Sequence, residues 1–155
     1  MVETIRQHAD VDYAQARQQA IDLLIQTGLE NAESRMQEYP HQFSGSMRQL
    51  VVIALALCTN PEVIIADEPT SALDVSIQAQ ILNLLKDLQQ KLGFSILFIS
   101  HNLAVIRQMS DRVVVLKNGV IIEDAEAETF FAHPKAEYSQ QLLADTPSLD
   151  FVTHS

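Results

Sequence analysis

Val63-Ile64-Ile65-Ala66-Asp67-Glu68-Pro69-Thr70-Ser71-Ala72-Leu73-Asp74-Val75 is the stretch on which the fold turns. Its first four residues are apolar without alternation, the pattern of a strand covered on both faces. The run stops in Asp67-Glu68-Pro69, so two carboxylates stand at its C-terminal end. From residue 75 to 92, Ile77, Ile81, Leu84, Leu85 and Leu88 recur at helical spacing and Gly93 closes the pattern. Residues 94–99 form a second apolar run that ends in Ser100-His101. Strand, helix and strand in this order predict an α/β domain with a largely parallel sheet. Ligand sites in such sheets lie beyond the carboxyl ends of the strands, so Asp67-Glu68 and Ser100-His101 are expected to point at one crevice.

Upstream, Ala16, Ala20, Ile21 and Leu24 mark one face of a helix over 13–27, with Gly28 where a left-handed cap is wanted. Residues 31–42 are polar and Tyr39-Pro40 breaks any helix. Phe43-Ser44-Gly45-Ser46 then leads into residues 47–58, apolar almost all round, which predicts a buried helix. Ser46 with Gln49 has the form of a capping box, and Asn60-Pro61 stops the run. Downstream, 112–116 and 120–122 are apolar runs joined through Asn118-Gly119, a hairpin signal. Two short helices are predicted around 126–131 and 136–143. The expected division is a helical part over 1–58, a core over 59–124 and a helical extension over 125–155.

Composition narrows the classes. The 155 residues are 47% hydrophobic and 19% charged, with four Gly and five Pro, which excludes collagen-like, linker-like and disordered chains. Twenty acids against ten basic residues give a formal charge of -10, and the scattered basic residues make no patch for a polyanion, so no nucleic-acid partner is expected. Cys58 alone excludes an internal disulfide, and its apolar neighbours predict a small buried side chain. No run of eighteen uncharged apolar residues and no signal-peptide pattern is present, so no membrane insertion is expected and the cytoplasm is the default.

The chemistry lies at the strand ends and at the Ser-Gly loop. One carboxylate can hold Mg²⁺ while the next orients a water, although Asp-Glu-Pro also makes a plain turn. A Ser-Gly loop opening a helix presents N–H groups to an anion, and the same Ser serves as a simple N-cap. His101 reads either as a polar group that its strand end delivers to the same crevice or as a packed, capping histidine.

Four pieces in order resemble the ABC-type ATPases. Phe43-Ser44-Gly45-Ser46-Met47-Arg48-Gln49 is similar to their signature loop, residues 63–68 to the Walker B strand, Ser71-Ala72-Leu73-Asp74 to the D-loop and His101 to the switch histidine. Tyr39-Pro40-His41-Gln42-Phe43-Ser44-Gly45, the run from Ile65 to Val75 and the late His133-Pro134 with Leu142-Leu143 resemble the oligopeptide, dipeptide and nickel import branch. The resemblance implies a partial P-loop NTPase fold, mostly parallel, with a C-terminal hairpin and flanking helices. It implies ATP and Mg²⁺ as cofactors, with Asp67 on the metal, Glu68 and His101 catalytic, and Ser44, Gly45, Ser46 and Asp74 on nucleotide across a head-to-tail dimer. The implied partners are a second ATPase subunit and membrane permease subunits on the inner face of the cell membrane.

The sequence departs from that pattern. A loop of the form G-x-x-x-x-G-K-[ST] is needed to wrap the phosphates, and Gly28, Gly45, Gly93 and Gly119 are followed by Leu, Ser, Phe and Val. Ser46 stands where the family has a second glycine, and Leu50 where this branch is usually basic, adding apolar helix surface. Two other readings follow: a non-catalytic fragment docking on an intact ATPase or permease, and a DNA-repair ABC ATPase, against which the -10 charge counts.

Overall fold

The computed structural model describes residues 1–71 and 73–146. Ala72 of the Ser71–Asp74 motif and the last nine residues lie outside that range. The chain divides into two compact units, Met1–Leu97 and Phe98 onward.

In the first unit, α1 (Val2–His8), α2 (Tyr13–Gln26), α3 (Ala32–Arg35) and α4 (Gly45–Leu57) precede β1 (Val63–Asp67) and α5 (Val75–Leu92). Helix α2 buries Ala16, Ala20, Ile21 and Leu24, the four residues its spacing singles out. Its start is set by Asp12, whose carboxylate accepts the Gln15 N–H while the Gln15 side chain accepts the Asp12 N–H. Gly28 adopts φ 83°, a left-handed turn that only glycine makes without a Cβ clash. Ile21, Leu24, Leu29, Ala32 and Ala54 form one core cluster, and Ile5, Ala16, Ala20 and Cys58 form another. Burial raises the Cys58 thiol above its ordinary pKa.

Three expectations are corrected here. The α4 helix begins at Gly45 with Ser44, not Ser46, as its cap: Ser44 is extended and its Oγ accepts the Met47 N–H at 3.2 Å. Helix α4 is not buried all round, because only Ile53, Ala54 and Leu57 are inside while Val52 and Leu55 face out. Leu50, the added apolar helix surface, packs half-buried against the α2–α4 cluster. Residues 31–42 also hold more order than their polarity suggests, namely α3 and a 3₁₀ turn at Pro40–Gln42.

Strand β1 neighbours β2 (Ser95–Ile99), and α5 makes the crossover between them. The two belong to a parallel α/β arrangement, as β-strand, 18-residue helix and β-strand require. Asp74 caps α5 by accepting the Ile77 N–H at 2.9 Å, and Gly93 ends it at φ 77°. The expectation that β1 is covered on both faces fails. Ala66 is buried, whereas Val63 and Ile65 on the opposite face are exposed. Continuous apolarity reports what a strand can bury, and cover depends on a second layer that the described residues do not supply.

The second unit holds α6 (Leu103–Met109), the hairpin β3 (Arg112–Lys117) and β4 (Val120–Glu126), α7 (Ala127–Ala132) and α8 (Glu137–Ala144). Asn118 and Gly119 both have positive φ, as a two-residue hairpin turn of this sequence demands. Arg112 and Asp124 pair across the hairpin through two bonds of 2.7 and 2.9 Å. Val113 and Val115 face inward onto Ile106, Ala127 and Phe130.

Glu123 is the buried charge of this unit, 7% exposed, and its two oxygens accept the N–H groups of Lys135 and Ala136 at 2.8 and 3.0 Å. It thereby ties the hairpin to the start of α8. Burial pushes its carboxyl upward, but these donors outweigh it and hold the group below the ordinary value of 4.5. A lowered folded pKa stabilises above the unfolded value and is lost as pH falls through the folded one. Glu123→Ala strips the part-buried N–H groups of Lys135 and Ala136 of their acceptor and is expected to cost about 1–2 kcal/mol. Chemical denaturation checks this, and the wild-type advantage should begin to fade below about pH 4.5.

Candidate functional site

The first unit carries a cleft of about 500 Å³ between α4, the end of β1 and the loop that follows. Helix α4 contributes Gly45, Arg48, Gln49, Val52, Ile53 and Ala56, a single face at spacing of three and four residues. Strand β1 and its loop contribute Ile65, Asp67, Glu68, Ser71 and Leu73 among others. The structure therefore brings Gly45 of the Ser-Gly loop to the same cleft as the paired acids.

Glu68 holds φ 44°, the left-handed region. For a residue with a Cβ this costs on the order of 1 kcal/mol, so the loop's other contacts must impose it. The consequence is a sharp turn immediately past β1, with Asp67 exposed and Glu68 half-buried on the cleft wall. Ser71 closes the turn, its N–H and Oγ both donating to the Glu68 carbonyl at 3.3 and 3.1 Å.

Ser44 and Ser46 flank Gly45 at the start of α4. Their hydroxyl oxygens lie 3.1 Å apart, in addition to the bond that Ser44 accepts from Met47. Gly45 has open space where a Cβ would stand. Asp74 sits at the start of α5, and its carboxyl is held below the usual range by the Ile77 N–H and then by the Ser76 hydroxyl. His101 belongs to the second unit. It is exposed, between Ser100, whose Oγ accepts the Asn102 N–H, and Asn102, whose Oδ1 caps α6 on Ala104.

Arg48 stands in the motif over 43–49, but sequence reading gave it no role of its own. It lines the cleft with Asp67 and Glu68, and its Nη1 donates to the Phe43 carbonyl at 2.8 Å, bracing the loop ahead of Ser44. The signal was present as helical spacing from Gly45 through Arg48, Gln49, Val52 and Ala56.

The ABC transporter family matches residues 2–71. The oligopeptide transport ATP-binding protein AppD of Bacillus subtilis is 47% identical over 150 residues, 97% of this chain and 46% of that protein. The dipeptide transport ATP-binding protein DppD of the same organism is 43% identical over 148 residues, 96% of this chain and 44% of that one. Among solved structures, the dimeric post-hydrolysis state of the ATP-binding cassette MJ0796 bound to ADP and Pi aligns at 32% identity and TM-score 0.63. It covers 76% of this chain and 49% of that one. The ADP conformation of MJ1267, an ATP-binding cassette of an ABC transporter, aligns at 26% identity and TM-score 0.67, over 83% and 49%. The chain thus spans about half the length of the curated relatives it matches.

Proposed function

Because the chain belongs to the ABC transporter ATP-binding family, we propose that it supplies the water-activating and dimer-facing parts of an importer ATPase for peptides. The observation that carries this reading is the pair Asp67 and Glu68 at the C-terminal end of β1, on the wall of the cleft. The peptide substrate class is proposed from AppD and DppD, named for oligopeptide and dipeptide transport.

The residues fit the metal. Mg²⁺ takes one or two carboxylates plus phosphate oxygens and water, and Asp67 is an exposed carboxylate at a strand end. Among the described residues no group of three or more His, Cys, Asp or Glu offers an all-protein metal site. The fit to ATP itself is partial: helix-start N–H groups suit a terminal phosphate, but the sequence has no glycine-rich lysine loop for the others. When bound, Mg-ATP supplies the phosphoanhydride bond to be broken.

In this reading Glu68 orients the attacking water and accepts its proton. Ser44, Gly45 and Ser46 turn hydroxyl and N–H donors toward the terminal phosphate of nucleotide held by a second ATPase subunit, and Asp74 acts across that seam. His101 contacts the γ-phosphate and holds its geometry. Among the described residues no helix is long and apolar enough to cross a membrane, so coupling to transport is assigned to membrane permease subunits at the cytoplasmic face. The absent phosphate loop favours a second reading, a non-catalytic partner of an intact ATPase.

Fusing this chain to the AppD segment that has no counterpart here tests the proposal by Mg-dependent phosphate release. Release above buffer is expected, and none would leave only the non-catalytic reading. In the same fusion Ser46→Gly is expected to raise turnover roughly ten-fold or more. The Ser46 hydroxyl lies 3.1 Å from that of Ser44, and in this reading removing the Ser46 Cβ lets the backbone close on the phosphate, a regained donor being worth up to about 3 kcal/mol. The opposing loss of helix propensity, Ser to Gly, is about 0.5 kcal/mol, so the phosphate effect dominates. Equal turnover of both forms would show Ser46 to be harmless.

A further inference from the structure

We propose that Arg35 and Arg48 are positioning residues for the Ser44-Gly45 loop: they grip Phe43 from two sides, by its ring and by its carbonyl, and so fix where the loop aims its donors. This rests on the ATP-binding reading above and gives a role to Arg35, which that reading leaves unused.

The connection from α3 to α4 is tied down at both ends. Arg35 is the last residue of α3; its Nε donates to the Glu30 carbonyl at 2.9 Å, and its Nη1 donates to Glu38 Oε2 at 2.9 Å. Two anchors leave the guanidinium little freedom, and its Cζ lies over the Phe43 ring, 5.9 Å from the centroid. From the other side the Arg48 Nη1 donates to the Phe43 carbonyl at 2.8 Å. Arg35, Phe43 and Arg48 accordingly line one cavity of about 460 Å³. Between the arginines the chain closes on itself. The Tyr39 N–H donates to Gln42 Oε1 at 2.7 Å, and the Gln42 N–H donates to the Tyr39 carbonyl at 2.9 Å.

Phe43 transmits both grips to the loop. Its carbonyl and the Ser44 nitrogen belong to one planar peptide, so a carbonyl held by Arg48 fixes the plane in which Ser44 begins. Its ring, held by Arg35 and packed on the α2–α4 cluster, fixes the direction from which the chain arrives. Ser44 then stays extended at ψ 168°, where its Oγ caps Met47 and its carbonyl accepts the Arg48 N–H at 2.9 Å. Arg48 therefore holds the first turn twice, by main chain and by guanidinium. At this exposed position water could satisfy the Phe43 carbonyl, so what the arginine adds is a fixed direction. Misplacing reacting groups by about 1 Å can cost about 100-fold in rate, which makes such direction matter to turnover more than to stability.

Amide hydrogen exchange on the full free chain tests the grip, and turnover of the AppD fusion tests its consequence. Arg35→Met and Arg48→Met are each expected to speed exchange of the Met47 N–H by about five-fold, the loss of one cap, and to leave that of Leu24 in α2 unchanged. In the fusion each should lower kcat by about ten-fold while KM for ATP stays within about two-fold, the mark of an interaction felt in the transition state. Arg48→Lys can still donate to a carbonyl and should restore most of kcat. Arg35→Lys keeps the charge beside Glu38 but has no guanidinium to reach the Glu30 carbonyl and cover the ring together, and should not. Arg17→Met, which removes the 3.4 Å pair with Glu33 of the same α3, should move neither readout. Unchanged Met47 exchange in either methionine variant would overturn the grip. Faster exchange with unchanged kcat, or equal rescue by the two lysines, would overturn the positioning role. A parent fusion that releases no phosphate would overturn the nucleotide reading instead, and exchange in the free chain would still decide the grip.

Discussion

Glu68→Gln abolishes ATP turnover in the reassembled cassette, a loss expected to reach about 10²–10⁴-fold, the range of one general base. Glutamine keeps the shape of glutamate and can still accept a hydrogen bond from water, so the water stays near the phosphorus. It cannot take the proton that the water must shed. Binding should be unharmed or slightly tightened, because one negative charge leaves a wall that already carries Asp67. The left-handed φ of 44° is a property of the backbone position and does not distinguish the two side chains. Phosphate release and nucleotide titration on the same preparation check the two halves of this prediction. Turnover within three-fold of the parent, with binding intact, would remove Glu68 from the proton-accepting role.

The free chain is expected to bind Mg-ATP no more tightly than the millimolar range, against micromolar binding in the reassembled cassette. That gap is about 4 kcal/mol. Affinity for a triphosphate comes chiefly from backbone amides wrapped around the phosphates and a lysine reaching the outer oxygens. Here the cleft offers Gly45 at a helix start and Arg48, whose guanidinium is already engaged with the Phe43 carbonyl, opposite two carboxylates. Isothermal titration with and without the AppD segment measures the difference. A micromolar constant for the chain alone would mean that these few donors suffice.

Much of the candidate site was legible because its signals are local. Asp67-Glu68-Pro69 at the end of an apolar run, and Ser44-Gly45 ahead of a helical one, place chemistry on element ends by sequence distance alone. The same holds for the four buried residues of α2 and the Asn118-Gly119 turn, each decided by neighbours within a few positions. Arg48 was given no role of its own because a basic residue one turn into a helix has no preferred face until the strand it opposes is known. Glu123 escaped because its partners, Lys135 and Ala136, lie twelve and thirteen residues away on another element.

By itself the sequence determined the longer helices, the strands and their order, though not α1, α3 or α6, and which elements carry acids, hydroxyls or a histidine at their ends, since capping, turn chemistry and periodicity act over one or two turns. Only the tertiary structure decided which apolar faces are covered. The run from Val63 to Ala66 reads the same whether one or two layers pack on it, and Ala66 buried against Val63 and Ile65 bare is a fact about what lies above and below the sheet. It likewise decided that Gly45, Arg48 and Glu68 share one cleft, because burial and juxtaposition depend on segments far apart in the chain, and no local pattern encodes a neighbour that distant.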